Sequence, residues 1–151
     1  MENLFITETK KLFKRDLLKL KKEIELYKKE ENLWIIEKEI SNTAGNLCLH
    51  LVGNLNAFIC AELGGTGYIR QRDKEFSLKN VSRKELLDQI DQTIIDVEKS
   101  LDKVDDGLLQ SIFPKKVFSH EMTTQYFLIH LYGHFSYHLG QINYHRRLLD
   151  N

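Results

Sequence analysis

Apolar residues recur at three- and four-residue intervals near the start of the chain, where Phe13, Leu17, Leu20, Ile24 and Tyr27 share one face. That period is the α-helical one and predicts a first helix over about residues 5–31, with the intervening Lys and Glu on its solvated side. A second helix is expected to begin at Ser41-Asn42-Thr43, turn Leu47, Leu51, Leu55 and Phe58 inward, and stop at Gly64-Gly65. Trp34 and Ile35 are expected to pack in the connection before it. Ser82 followed by Glu85 is a capping box, after which Leu86, Ile90, Ile94, Val97, Leu101 and Val104 form a third stripe. Beyond Gly107 and Pro114, Ser119 as N-cap and Glu121 in the first turn predict a last helix running almost to residue 151.

Residues 65–81 mix Gly, Arg, Asp and Lys without helical period, and a segment that long is a crossover, a functional loop, or both. The pattern predicts an all-α fold: a four-helix bundle with a long crossover between its second and third helices. No repeat, low-complexity tract or composition break appears, so one domain is expected over residues 1–151.

Composition agrees, with a single proline and eight glycines in 151 residues, and a chain of this length buries a core without staples. The 22 basic and 22 acidic residues cancel, and the Lys clusters near Lys10 and Lys21 alternate with Leu, Glu and Asp. Nucleic acid is therefore not an expected partner. Cys48 and Cys60 are too few for a disulfide scaffold, and on one helix they stand about 18 Å apart, so they read as core residues in a reducing compartment. The first five residues run straight into charged ones without a signal core, and no continuous apolar run approaches a membrane span. The expectation is a cytoplasmic protein with no membrane partner.

Histidine is unevenly placed, five of six lying after residue 119. On a helix, His130, His134, His138 and His145 fall within an arc of about 80°, together with Phe127, Gln141 and Leu148. That arc is expected to be the buried stripe, where a neutral imidazole needs a hydrogen-bond partner or a metal. His134 and His138, at i and i+4, can reach one ion, and His50 on the second helix is the natural third ligand. Three protein ligands leave a coordination position open, the arrangement of a catalytic rather than a structural site. HxxxH on a core face also occurs by chance, so core histidines satisfied by packing are the alternative. His130 could support the site or line its pocket, and Gln141 could hydrogen-bond a ligand; each could equally be a packing residue. His145 lies too far along to ligate, and His120 is expected to be exposed.

Leu49-His50-Leu51-Val52-Gly53-Asn54 and His134-Phe135-Ser136-Tyr137-His138-Leu139-Gly140-Gln141 resemble the DinB-like superfamily of metal-binding bundles, which includes the YfiT-like hydrolases and bacillithiol transferases. The resemblance runs from the second helix to the C-terminus, and HLxGN combined with HxxxHxGQ is more specific than either piece. It implies metal ligation by His50, His134 and His138, the triad the helical spacing also proposes. Residues 68–76, Tyr-Ile-Arg-Gln-Arg-Asp-Lys-Glu-Phe, resemble a charged loop of one uncharacterised branch, of which only the position transfers. Members often carry a second histidine or an arginine beside the last ligand; here Tyr137 and Leu139 stand there, so activities tied to that neighbour are not implied.

These readings lead to one divalent transition metal, zinc or nickel first, in an enzyme that activates a thiol or water toward a small-molecule substrate. S-transfer with a low-molecular-weight thiol and hydrolysis are both implied by the resemblance, as is a homodimer. No general base is identifiable, and Arg70, Arg72 and Asp73 read as solvated loop charges before they read as a substrate mouth. The alternative function is a non-catalytic helical-bundle module for binding or dimerisation, with core histidines.

Overall fold

The computed structural model describes residues 2–151; Met1 lies outside them. It is an all-α four-helix bundle, built from α1 (Leu4–Leu26), α2 (Ala44–Leu55, continued by a π-helical segment Asn56–Ala61), α4 (Arg83–Leu101) and α6 (Thr124–Leu149). The short helices α3 (Arg72–Ser77) and α5 (Asp106–Gln110) and a 3₁₀ segment, Glu30–Trp34, lie in the connections. The helix starts follow local chemistry: the side chains of Asn3, Thr43, Ser82 and Thr123 accept from the backbone N–H of Ile6, Asn46, Glu85 and Tyr126. The expected stripes meet in the core, with Phe13, Leu17, Leu20 and Ile24 facing Leu51, Leu55, Leu86, Ile90, Phe135 and Ile142, all essentially without solvent exposure.

Cross-helix contacts fix the directions. Lys21 pairs with Asp91 at 2.7 Å and Lys10 with Asp102, so α1 and α4 are antiparallel. Arg15 reaches Tyr132 and Arg146 reaches Glu23, so α1 and α6 run together. Asn56 donates to Thr93 at 2.9 Å and Gly64 abuts Ser100, so α2 runs parallel to α4. Parallel neighbours require the chain to return the full length of α2, about 27 Å of helix, before α4 begins. This is the physical reason for the crossover, and α3 is folded within it where the sequence showed no helical period.

Two boundaries and one buried position differ from expectation. The first helix ends at Leu26, because the Asp150 carboxylate accepts from the backbone N–H of Lys28 at 2.6 Å and of Lys29 at 3.2 Å, turning the chain aside. The last helix starts at Thr124 rather than after Ser119: Ile112 and Thr123 form an antiparallel bridge, which holds residues 115–122 outside the helix. Phe58 is only partly buried, on the π-helical segment that the α-periodic pattern did not anticipate.

The stretch Ala44–Ala61 has a mean hydropathy of 1.3 over 18 residues, enough by length and composition for a membrane span, contrary to the sequence reading; 78% of it is buried among the other helices. Asn46, His50, Asn54 and Asn56 lie within it, and burial against α4 and α6 accounts for its apolar character.

Candidate metal centre

α2 and α6 cross with His50 opposite His134 and His138, and one nitrogen from each of the three rings lies within 4.8 Å of the others. His50 Nε2 and His134 Nε2 are 3.1 Å apart, and the ring centroids of His134 and His138 are separated by 4.6 Å. The fourfold spacing on α6 stacks two rings on one face, and the antiparallel α2 brings the third to them.

The outward nitrogens are held differently. His50 Nδ1 lies 3.0 Å from Glu75 Oε1, and since a carboxylate only accepts, Nδ1 carries the proton and Nε2 presents its lone pair to the cluster. His138 Nδ1 lies 2.7 Å from Gln141 Oε1, which selects the same tautomer. His134 Nδ1 is buried without a partner. Lone pairs converging at hydrogen-bonding distance repel unless a proton or a cation lies between them. Burial, followed by the neighbouring His138 and His50, pushes His134 down to about 4, and burial also lowers His138. A neutral His134 keeps one proton, which on Nε2 donates to His50 Nε2 and on Nδ1 leaves a third lone pair facing the cluster; in the second form the three nitrogens suit a cation, and the triad could hold a metal ion.

Glu75 comes from α3 on the crossover, and its place is built by α2. Asn46 donates to the carbonyls of Glu75 and Leu78 at 2.9 and 2.8 Å, fixing the α3 end against α2 one turn before His50. Arg70 grips the Glu75 carboxylate with two N–H groups at 2.8 and 2.9 Å. Burial pushes the Glu75 carboxyl up, but the hydrogen bonds from His50 and Arg70 outweigh it and hold the group below its ordinary range. Gly53 makes room: a Cβ there would stand 2.0 Å from Glu75 Oε2. The glycine of HLxGN is thus where the crossover carboxylate passes α2.

A chain described by the family model "Protein of unknown function (DUF1572)" is matched from residue 1 to residue 151. This is a DUF1572 protein. No match was found among curated proteins or among solved structures.

In this DUF1572 chain, His50, His134 and His138 come together as expected, while His130 and Gln141 stand at the edge. Gln141 is exposed but bonded to His138, and His130 is exposed on the cavity wall, its ring 5.9 Å from Phe127 and stacked on it. The histidine arc is not the centre of the buried stripe. Leu128, Leu131, Phe135 and Ile142 define that centre, and His130, Gln141 and the exposed Leu148 lie on its flank. His145 is buried elsewhere, between the Tyr27 hydroxyl and the Ile35 carbonyl. Cys48 and Cys60 are buried thiols, as expected, and burial pushes them up to about 12 and about 11.

Glu75 and Asn54 were missed by the sequence reading, and Arg70 was given to solvent. Asn54 is 7% exposed, lines the cavity in front of the triad, and leaves its Oδ1 without a hydrogen-bond partner. Its place one turn after His50 was the available signal.

Proposed function

We propose that His50, His134 and His138 hold one divalent transition metal ion, and that the protein is a DinB-like, metal-dependent enzyme acting on a small molecule by S-transfer or hydrolysis. The observation that carries this reading is the convergence of one nitrogen from each of His50, His134 and His138 within 4.8 Å, while Glu75 and Gln141 hold the His50 and His138 protons on the far nitrogens. That arrangement turns two acceptors toward one point, as a cation requires. Imidazole donors suit zinc and nickel. Such an ion, with a coordination position left open, supplies Lewis acidity that lowers the pKa of a bound water or thiol.

The chain's own residues do the rest. Glu75 fixes the tautomer and ring angle of His50, and Arg70 fixes Glu75; Gln141 does the same for His138 from the next turn of α6. Phe58, Phe76, Phe118 and Phe127 wall the cavity before the triad, limiting water at the reacting end. S-transfer is favoured over hydrolysis only by the DinB-like resemblance.

Elemental analysis of purified, untagged protein tests the proposal. The expected result is about one metal per chain in the wild type, lost in His50→Ala and in His134→Ala at equal folded concentration. A wild type that takes up no metal after reconstitution overturns it and leaves a helical binding module with packed histidines.

A further inference from the structure

The cavity before the triad encloses about 580 Å³, within the range of small-molecule sites, and its lining narrows what it can take. The rings of Phe58, Phe76, Phe118 and Phe127 line it, and Val117 lies at its rim. Phe118 stands edge-on to His130 at 4.8 Å, and Phe58 edge-on to Phe127 at 5.0 Å, so ring faces and edges are both presented. Val117 and Phe118 remain 38% and 36% exposed on the segment that the Ile112–Thr123 bridge holds outside α6. These apolar side chains are half in water and gain most from being covered.

Charge at this cavity is one-sided. Among the described residues no Asp or Glu lines it, whereas Arg70 and Arg72 do. Arg70 is neutralised by its two bonds to Glu75. Arg72 has no carboxylate partner among the described residues, and its guanidinium lies 5.3 Å over the ring of Phe76. Between aromatic wall and triad lies Asn54, with its unpartnered Oδ1. A buried amide oxygen left unmet is unfavourable, and a bound hydrogen-bonding group would satisfy it.

We propose that this cavity binds a small molecule with an aromatic body, a hydrogen-bonding group that meets Asn54, and an anionic group that pairs with Arg72. The inference deepens, and rests on, the reading of the triad as the reactive end of the same site. The ring packs among Phe58, Phe118 and Phe127, and the molecule's uncharged end faces the histidines.

Isothermal titration of the full chain with 2-naphthoate, 2-naphthamide and octanoate tests it, with metal content measured on the same samples. Naphthoate is expected to bind about fivefold more tightly than the amide, the upper end for a solvent-facing ion pair, and more tightly than octanoate. Arg72→Gln removes the gap between naphthoate and naphthamide, and Phe118→Ala weakens both by up to about tenfold. Both positions are solvent-facing, so neither variant threatens the fold. No saturable naphthoate binding, octanoate binding as tightly, or naphthoate affinity unmoved by both substitutions would overturn the inference. Naphthoate affinity that survives Arg72→Gln but vanishes on chelation also overturns it, since the carboxylate then sits on the metal. Binding with the expected Arg72 and Phe118 pattern in protein that takes up no metal retains the ligand class and ends the triad reading. Metal-loaded protein that ignores naphthoate does the reverse.

Discussion

Gly53→Ala is the substitution that most directly tests how the crossover serves the site. A Cβ at position 53 would lie 2.0 Å from Glu75 Oε2 and 2.6 Å from its carboxyl carbon, where ordinary contact begins near 3.4 Å. The carboxylate must therefore retreat by roughly 1.4 Å, the difference between those two separations. Its bond to His50, now 3.0 Å, would then exceed about 3.5 Å and cease to be a hydrogen bond, while Arg70 can follow the carboxylate. Two effects oppose each other in stability. Alanine gains about 1 kcal/mol of helix propensity over glycine, while disrupting a buried charged cluster by removing a partner costs about 3–5 kcal/mol when the charges cannot escape to water. Arg70 and Glu75 can move outward together, so a net loss of about 1–3 kcal/mol is expected, or several degrees of Tm at this chain length.

Metal affinity should fall further than stability suggests. Losing the group that orients a histidine ligand typically costs about 10–100-fold in affinity. Competition against a fluorescent chelator, with zinc, reads this directly, and Glu75→Gln should reproduce most of the loss without a steric change. Wild-type affinity and wild-type Tm in Gly53→Ala would refute the argument, because Glu75 would then have another place to go without releasing His50.

Burial lowers His145, whose neutral form is fixed between the Tyr27 hydroxyl at 2.6 Å and the Ile35 carbonyl at 2.9 Å. The unfolded chain takes up its proton near pH 6.5 and the folded one resists, so this contribution is complete above about pH 6.5 and declines as pH falls toward the lower folded value. Urea melts at pH 7.5 and 5.5 should show a smaller pH effect in His145→Gln than in wild type; equal effects would refute the assignment. Asp150→Ala frees the backbone N–H groups of Lys28 and Lys29 and the Asn32 amide, and should cost about 1–3 kcal/mol in denaturant unfolding. With Cys48 and Cys60 buried and pushed up to about 12 and about 11, a disulfide reagent at pH 8 should label neither in the folded protein and both after denaturation. Rapid labelling of the native state would contradict that burial.

The helices were legible because their evidence is local. The stripes from Phe13 to Ile24 and from Leu86 to Leu101 repeat at the helical period, and Thr43 and Ser82 cap within three residues of themselves. The triad was legible for a related reason: two of its members are neighbours on one helical face, and the third was the only histidine before residue 119. What escaped depends on residues far apart in sequence. Asp150 ends α1 from 122 positions away, the pairing of Ile112 with Thr123 delays α6, and α4, by running parallel to α2, forces the return on which α3 folds. Glu75 belongs to this class, in a run of charges that gives no reason to prefer it to Asp73.

Yet the motif held half of the answer. A glycine inside a buried helix weakens it by about 1 kcal/mol, and Gly53 lies three residues after a ligand candidate, so something must approach the helix closely on that side. A neutral histidine that presents Nε2 to a metal needs an acceptor on Nδ1. Taken together, these two requirements call for a carboxylate or carbonyl arriving beside Gly53 from another segment. The crossover that leaves α2 directly is one segment outside the core stripes, and its acidic residues are Asp73 and Glu75. The structure selects Glu75, on the face of α3 that packs against α2, while Asp73 is exposed to solvent. A gap in one helix and an unmet proton on a ring can thus identify a partner that no local pattern marks.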